Sequence, residues 1–141
     1  MSEAVNFHFD VDGENFSSAG AASANVKKKL RQLGLSPEVI RKVSIAMYEG
    51  EINMVIHANG GTADVNVDDD YVTIILADTG PGIPNIELAM QEGYSTARDN
   101  IRALGFGAGM GLPNMKKYSD EMDVQTEIGV GTTITMKVKI D

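Results

Sequence analysis

The chain contains no cysteine. That excludes disulfides, thiolate metal sites and a cysteine nucleophile together, and it suits a reducing compartment. No apolar run approaches the roughly 18 residues that a membrane-spanning helix needs. No basic start leads into an apolar stretch, so no secretory signal is expected and the cytoplasm is the expected location. Positive charge is scarce: 12 Lys and Arg stand against 20 Asp and Glu, for a formal net charge of -8. A general nucleic-acid binder carries a basic surface instead, so neither nucleic acid nor membrane is an expected partner. The one basic cluster, Lys27, Lys28, Lys29 and Arg31, reads as the solvated face of a helix. Proline is also rare, with four in the chain. What remains is ordinary for a soluble domain: 141 residues, 43% hydrophobic and 23% charged, enough for one real core.

Apolar and polar residues alternate over 4–10, which predicts a strand. Ala21, Ala22, Val26, Leu30 and Leu33 recur at helical spacing over 20–33, and Gly34 follows as a stop. Ser36-Pro37-Glu38 opens a second helix, with Ser at the N-cap and Pro in the first turn. This helix runs to about Ala58, before Asn59-Gly60-Gly61. Strands are expected near 62–67 and 71–77, joined by the turn Asp68-Asp69-Asp70. A loop from Asp78 to Pro84, short helical pieces over 85–104 and a glycine-rich stretch over 105–112 come next. A helix to about Ser119 and a hairpin, 121–127 with 132–140, end the chain. The predicted fold is α+β, with helices on one face of a mixed, mostly antiparallel sheet, as a single domain over 1–141.

The second helix carries a polar stripe. Glu49, Asn53 and His57 are spaced i, i+4, i+8, within roughly 80° of one another on one face. Most of the rest is apolar: Val43, Met47 and Met54 form one row, and Ile45, Ile52 and Ile56 another. A helix apolar over so much of its circumference is largely buried, so the stripe is expected to line a pocket. Asn offers a neutral oxygen to a hard cation. Glu one turn earlier can accept a proton or orient a hydroxyl. Taken alone, the pair also reads as structural, satisfied by neighbouring backbone. His57 does so more strongly and is kept only as pocket-adjacent.

Two glycine-bearing turns follow. Asp78-Thr79-Gly80-Pro81-Gly82-Ile83-Pro84 leaves the strand TIILA, and two glycines with two prolines fix an unusual backbone path. Asp78 stands at the strand end, where a carboxylate can accept a hydrogen bond from the amino group of adenine. An ordinary turn with an Asp cap fits this segment equally well. Gly105-Phe106-Gly107-Ala108-Gly109-Met110-Gly111-Leu112 has glycine at alternate positions and precedes a helix, so its amides can meet phosphate oxygens. No Gly-Lys-Ser/Thr follows, and no strand leads into it, so it is neither a Walker A loop nor a dinucleotide fingerprint.

Taken in order, Glu49 with Asn53, DTGPGIP, GAGMGL and Gly131-Thr132-Thr133 resemble the GHKL superfamily of ATP-binding domains found in gyrase, the Hsp90 chaperone, histidine kinases and MutL. The resemblance spans nearly the whole chain. It implies the Bergerat fold, a two-layer α/β sandwich, with ATP and Mg²⁺ as ligands. It implies Glu49 as general base, Asn53 as the Mg²⁺ ligand, and Asp78 on the adenine amino group with Thr133 supporting it. Gly80, Gly82 and Ile83 would shape the base pocket, while Gly107, Gly109, Met110, Gly111 and Leu112 would lie along the phosphates. Residues 85–106 would be a lid, in which Tyr94-Ser95-Thr96 is similar to an element of histidine kinases and anti-sigma-type kinases, with Thr96 near the γ-phosphate. Where Lys often follows that Thr, this chain has Ala97 and then Arg98. Ile52 replaces an Arg frequent before the helix Asn, and Gly50 stands where a larger apolar residue is usual.

The size and lack of appendages look like the stand-alone anti-sigma-factor serine/threonine kinases. That branch implies transfer of the γ-phosphoryl group to a Ser or Thr of an antagonist protein, with a sigma factor as a further partner and a homodimer as a possible assembly. Two alternatives are an ATP-gated binding module without phosphotransfer, and a detached histidine-kinase catalytic domain.

Overall fold

The computed structural model describes residues 5–12, 20–58, 60–80 and 111–140. Among the described residues eight elements follow one another: β1 (Val5–Asp12), α1 (Ala21–Gln32), α2 (Pro37–Ala58), β2 (Gly60–Val67), β3 (Tyr71–Asp78), α3 (Gly111–Lys117), β4 (Glu121–Glu127) and β5 (Gly131–Lys139). The strands form one sheet in the order β1-β2-β3-β5-β4. Every described pairing is antiparallel, in keeping with the mostly antiparallel sheet expected.

Local chemistry explains the element ends. Ser36 Oγ accepts from the Val39 amide at 3.3 Å, the predicted cap of α2. The β2–β3 turn is closed by Asp68, whose Oδ1 accepts from the amides of Asp70 and Tyr71, both at 2.8 Å. These two bonds hold the Asp68 carboxyl below its usual range.

The sheet has one apolar face, and the three described helices cover it. Phe7 and Phe9 of β1, Ala63, Val65 and Val67 of β2, Val72, Ile74 and Leu76 of β3, and Ile134, Met136 and Val138 of β5 join one core with the helices. Their partners are Val26 and Leu30 of α1, Val43, Met47 and Val55 of α2, and Leu112 and Met115 of α3. Each large side chain fully buried here contributes roughly 1.5–3 kcal/mol. The opposite face is polar: Asn66 donates to Asn6 at 2.5 Å, and His8 Nδ1 lies 2.6 Å from Asp64. Asp64 raises the His8 pKa, first through this bond and then by its charge. Two layers with all described helices on one side match the α+β sandwich expected from sequence. The predicted helical pieces over 85–104 lie outside the described residues. No described helix is long and apolar enough to cross a membrane.

Candidate nucleotide site

The helical layer meets the sheet around the end of β3. Asp78 is the last ladder residue of that strand and pairs with Thr132 of β5. Its Oδ1 accepts from the backbone amides of Gly80 at 3.0 Å and Thr132 at 3.1 Å. Both bonds fall on one oxygen, Oδ1, so the second oxygen carries neither of them. Thr132 is itself buried, and its hydroxyl lies 2.9 Å from that of Thr126 on β4.

The resemblance assigned the support of Asp78 to Thr133. The register places it one residue earlier. Thr133 pairs with Ala77, and its neighbours Thr132 and Ile134 are buried while it is only half-buried. With a period of two, Thr133 therefore points to the other face of the sheet.

Two glycines make room for this strand end. A Cβ on Gly61 of β2 would overlap the Ala77 carbonyl oxygen, and one on Gly131 of β5 would overlap that of Asp78. Gly131 also has a φ of 150°, which L side chains rarely adopt. The backbone beside Asp78 is thus pinched between two strands that have no side chain there.

On the helical side, Glu49 and Asn53 are both half-buried on α2, as a pocket-lining stripe requires. Burial raises the Glu49 pKa, and a side-chain hydrogen bond from Asn114 of α3 partly opposes this. His57 belongs to the last turn of α2, and its ring lies outside the described residues. Gly111 and Leu112 fall in the first turn of α3 rather than in a loop before it, and Leu112 is buried in the core. Gly82, Ile83, Thr96, Gly107, Gly109 and Met110 lie outside the described residues. The structure therefore brings Glu49 and Asn53 onto one helix face and fixes Asp78 at the central strand end, without describing the segments between.

Sequence reasoning missed two residues. Asn114 is one; a lone Asn in a short helix carries no signal by itself. Glu51 is the other. It is 2% exposed, the most buried carboxylate described. Its Oε2 accepts from the amides of Gly20 at 2.8 Å and Ala22 at 3.2 Å, and its Oε1 from Ser23 at 3.0 Å. Glu51 caps the N-terminus of α1 from a neighbouring helix, meeting donors that the helix cannot satisfy itself. A signal existed: Met47, Glu51 and Val55 lie at i, i+4, i+8, a carboxylate inside an apolar row.

A two-layer sandwich with a capped carboxylate at the central strand end and a Glu-Asn pair on the facing helix defines a Bergerat-type nucleotide domain. Residues 39–141 match the family model "Histidine kinase-, DNA gyrase B-, and HSP90-like ATPase". The chain is 33% identical to the anti-sigma F factor of Clostridium beijerinckii, over 97% of this chain and 94% of that protein. It is 31% identical to the serine/threonine-protein kinase RsbT of Bacillus subtilis, over 74% of this chain and 75% of that one. Among solved structures it resembles the RsbU and RsbW domains of a Mycobacterium tuberculosis protein. The TM-score is 0.66 at 17% identity, over 96% of this chain but 32% of that longer one, a likeness of fold alone. The chain belongs to the histidine kinase-, DNA gyrase B- and HSP90-like ATPase family, on its anti-sigma-kinase branch.

Proposed function

We propose that this chain is a Mg-ATP-dependent regulatory protein serine/threonine kinase of the anti-sigma type, which phosphorylates a Ser or Thr on an antagonist protein. The name of its anti-sigma F factor relative makes a sigma factor the natural second partner; a homodimer in the cytoplasm is part of the same proposal. The observation that carries the kinase reading is the half-buried Glu49 carboxylate, one helical turn from Asn53. A pure binding module has no use for a carboxylate held partly out of water beside the phosphates.

In this reading Asp78 accepts from the adenine amino group through the oxygen that Gly80 and Thr132 leave open. Asn53 offers an amide oxygen to magnesium. Among the described residues no group of three or more His, Cys, Asp or Glu could hold a metal, so the ion would take its other ligands from phosphate and water, as magnesium does with nucleotides. When bound, magnesium supplies charge neutralisation across the phosphates. The substrate hydroxyl oxygen bonds to the γ-phosphorus as its proton passes to Glu49. The bond from that phosphorus to the bridging oxygen breaks, and its electron pair leaves with ADP. Glu49 thus steers the hydroxyl and takes its proton, work that amounts to about 10²–10⁴-fold in rate.

Incubation of the chain with γ-labelled ATP and extract from its native cell tests this directly. Label should appear on a protein as an acid-stable phosphoester and vanish in Glu49→Ala, while that variant still binds ATP. Acid-labile label would point to phosphohistidine and the detached histidine-kinase reading. A partner retained only with ATP, unlabelled and indifferent to Glu49→Ala, would establish the binding module instead.

A further inference from the structure

Strands β3, β5 and β4 lie side by side, and each row of their register takes one residue from each. On the apolar face, Leu76, Ile134 and Val124 make one row. The next row, at the end of β3, is Asp78, Thr132 and Thr126. Three polar side chains thus follow directly on an apolar row, where polar groups need partners. Their bonds converge on one peptide group, that between Gly131 and Thr132. Its amide donates to Asp78 Oδ1 at 3.1 Å. Its carbonyl oxygen accepts from Thr126 Oγ1 at 3.3 Å. The Thr126 hydroxyl also lies 2.9 Å from that of Thr132. The peptide follows Gly131, whose φ is 150° and which has no side chain to restrain it.

We propose that Thr126, on strand β4 at the rim of the described sheet, is a positioning residue for nucleotide recognition. This rests on the reading of Asp78 as the acceptor for the adenine amino group. Thr126 grips the Gly131–Thr132 peptide by its carbonyl, while Asp78 takes its amide. A peptide held at both ends keeps its plane, so the amide stays aimed at Oδ1 and the other carboxylate oxygen keeps its direction. A hydroxyl bonded to the carbonyl also polarises the peptide and strengthens the bond that its amide makes. The contact between the two hydroxyls ties β4 to β5 a second time. Thr126 stands beside the β4–β5 turn, which the Val130 amide closes on the Glu127 carbonyl at 3.0 Å. This end of β4 is therefore pinned by the chain itself. Strand β3 sets the place of the carboxylate, and Thr126, two strands away, sets its orientation.

The test measures binding to the whole chain of Mg-ATP and of purine riboside triphosphate with magnesium, an analogue that lacks the amino group of adenine. Wild type should bind ATP about tenfold more tightly than the analogue. Thr126→Val keeps the shape and the β-branch but removes the hydroxyl. Its affinity for ATP should fall about fivefold, while that for the analogue stays within about twofold. Thr126→Ser, which keeps the hydroxyl, should bind ATP within about twofold of wild type. Added to Asp78→Asn, Thr126→Val should cause no further loss, because both act on one interaction. If the valine variant does not fold, Thr126→Ala carries the same measurements. Equal losses for both nucleotides would mark a residue that only supports the sheet, and would overturn the proposal. So would an unchanged affinity for ATP in a folded variant. A wild type that does not distinguish the two nucleotides overturns the reading of Asp78 and this role with it; a discriminating wild type with an unaffected variant overturns this role alone.

Discussion

Helix α2 carries two carboxylates two positions apart in opposite settings. Glu51 is buried and bonded to three amides at the start of α1, those of the N-cap Gly20, Ala22 and Ser23, so it belongs to the fold. Removing it strands those donors and empties its site. Glu51→Ala should therefore cost about 2–4 kcal/mol in urea unfolding, and a loss under about 1 kcal/mol would rule out the cap. Glu49 is the reverse case. Burial lifts its pKa above the usual carboxylate range, so across that window the folded chain binds more protons than the unfolded one. Stability then falls as pH rises through the window, and the charged carboxylate destabilises the fold at pH 8. Glu49→Gln should melt higher than wild type at pH 8, by a margin that shrinks toward pH 4, while losing phosphotransfer. A variant less stable than wild type at both pH values would contradict this. Sequence spacing set Glu49 on a half-buried helix face because a stripe is a local, periodic signal. It passed over Glu51 because the partners of that residue lie about thirty positions away, at the start of another helix. It placed Thr133 where Thr132 stands because a motif counts residues, whereas a ladder register also decides which face each one meets.

Element boundaries were legible to within a residue or two wherever a local device marks them. Ser36-Pro37 opens α2, Gly34 (φ 79°) closes α1, and the Asp68 turn joins β2 to β3. The insertion of β5 between β3 and β4 was not legible, because that pairing joins strands more than fifty residues apart. Gly131 belongs to this pairing. The sequence offers it as a hairpin-turn residue, while the structure shows it pressed against the Asp78 backbone. Backbone cannot yield as a side-chain tip can, so Gly131→Ala should cost about 1–3 kcal/mol in thermal or urea unfolding. It should also weaken ATP binding through a displaced Asp78. At Gly50 the first obstacle is the tip of Leu76, and a bulky Gly50→Leu should overpack the core by a similar amount.

At the scale of the whole molecule, the sandwich places its proposed ligand groups on both layers, with Glu49 and Asn53 on a helix and Asp78 on the sheet. A ligand bridging them binds only the folded state. Mg-ATP at 100 times its Kd should therefore stabilise the chain by about 2.7 kcal/mol, seen as a rise in Tm. Asp78→Asn keeps an oxygen for Gly80 and Thr132 but presents a donor where adenine needs an acceptor. Its affinity for ATP should fall about 10–100-fold with the Tm of the free protein nearly unchanged. An unchanged affinity would remove Asp78 from the site. The sheet order adds something about time. Asp78 ends the middle strand of five, with two strands on either side, while β1 and β4 form the edges. Amide hydrogens of edge strands exchange with solvent through small, frequent openings, whereas those of a central strand wait for the domain to come apart. Fraying at either rim therefore leaves the carboxylate where it is, and nucleotide recognition should persist through every fluctuation short of global unfolding.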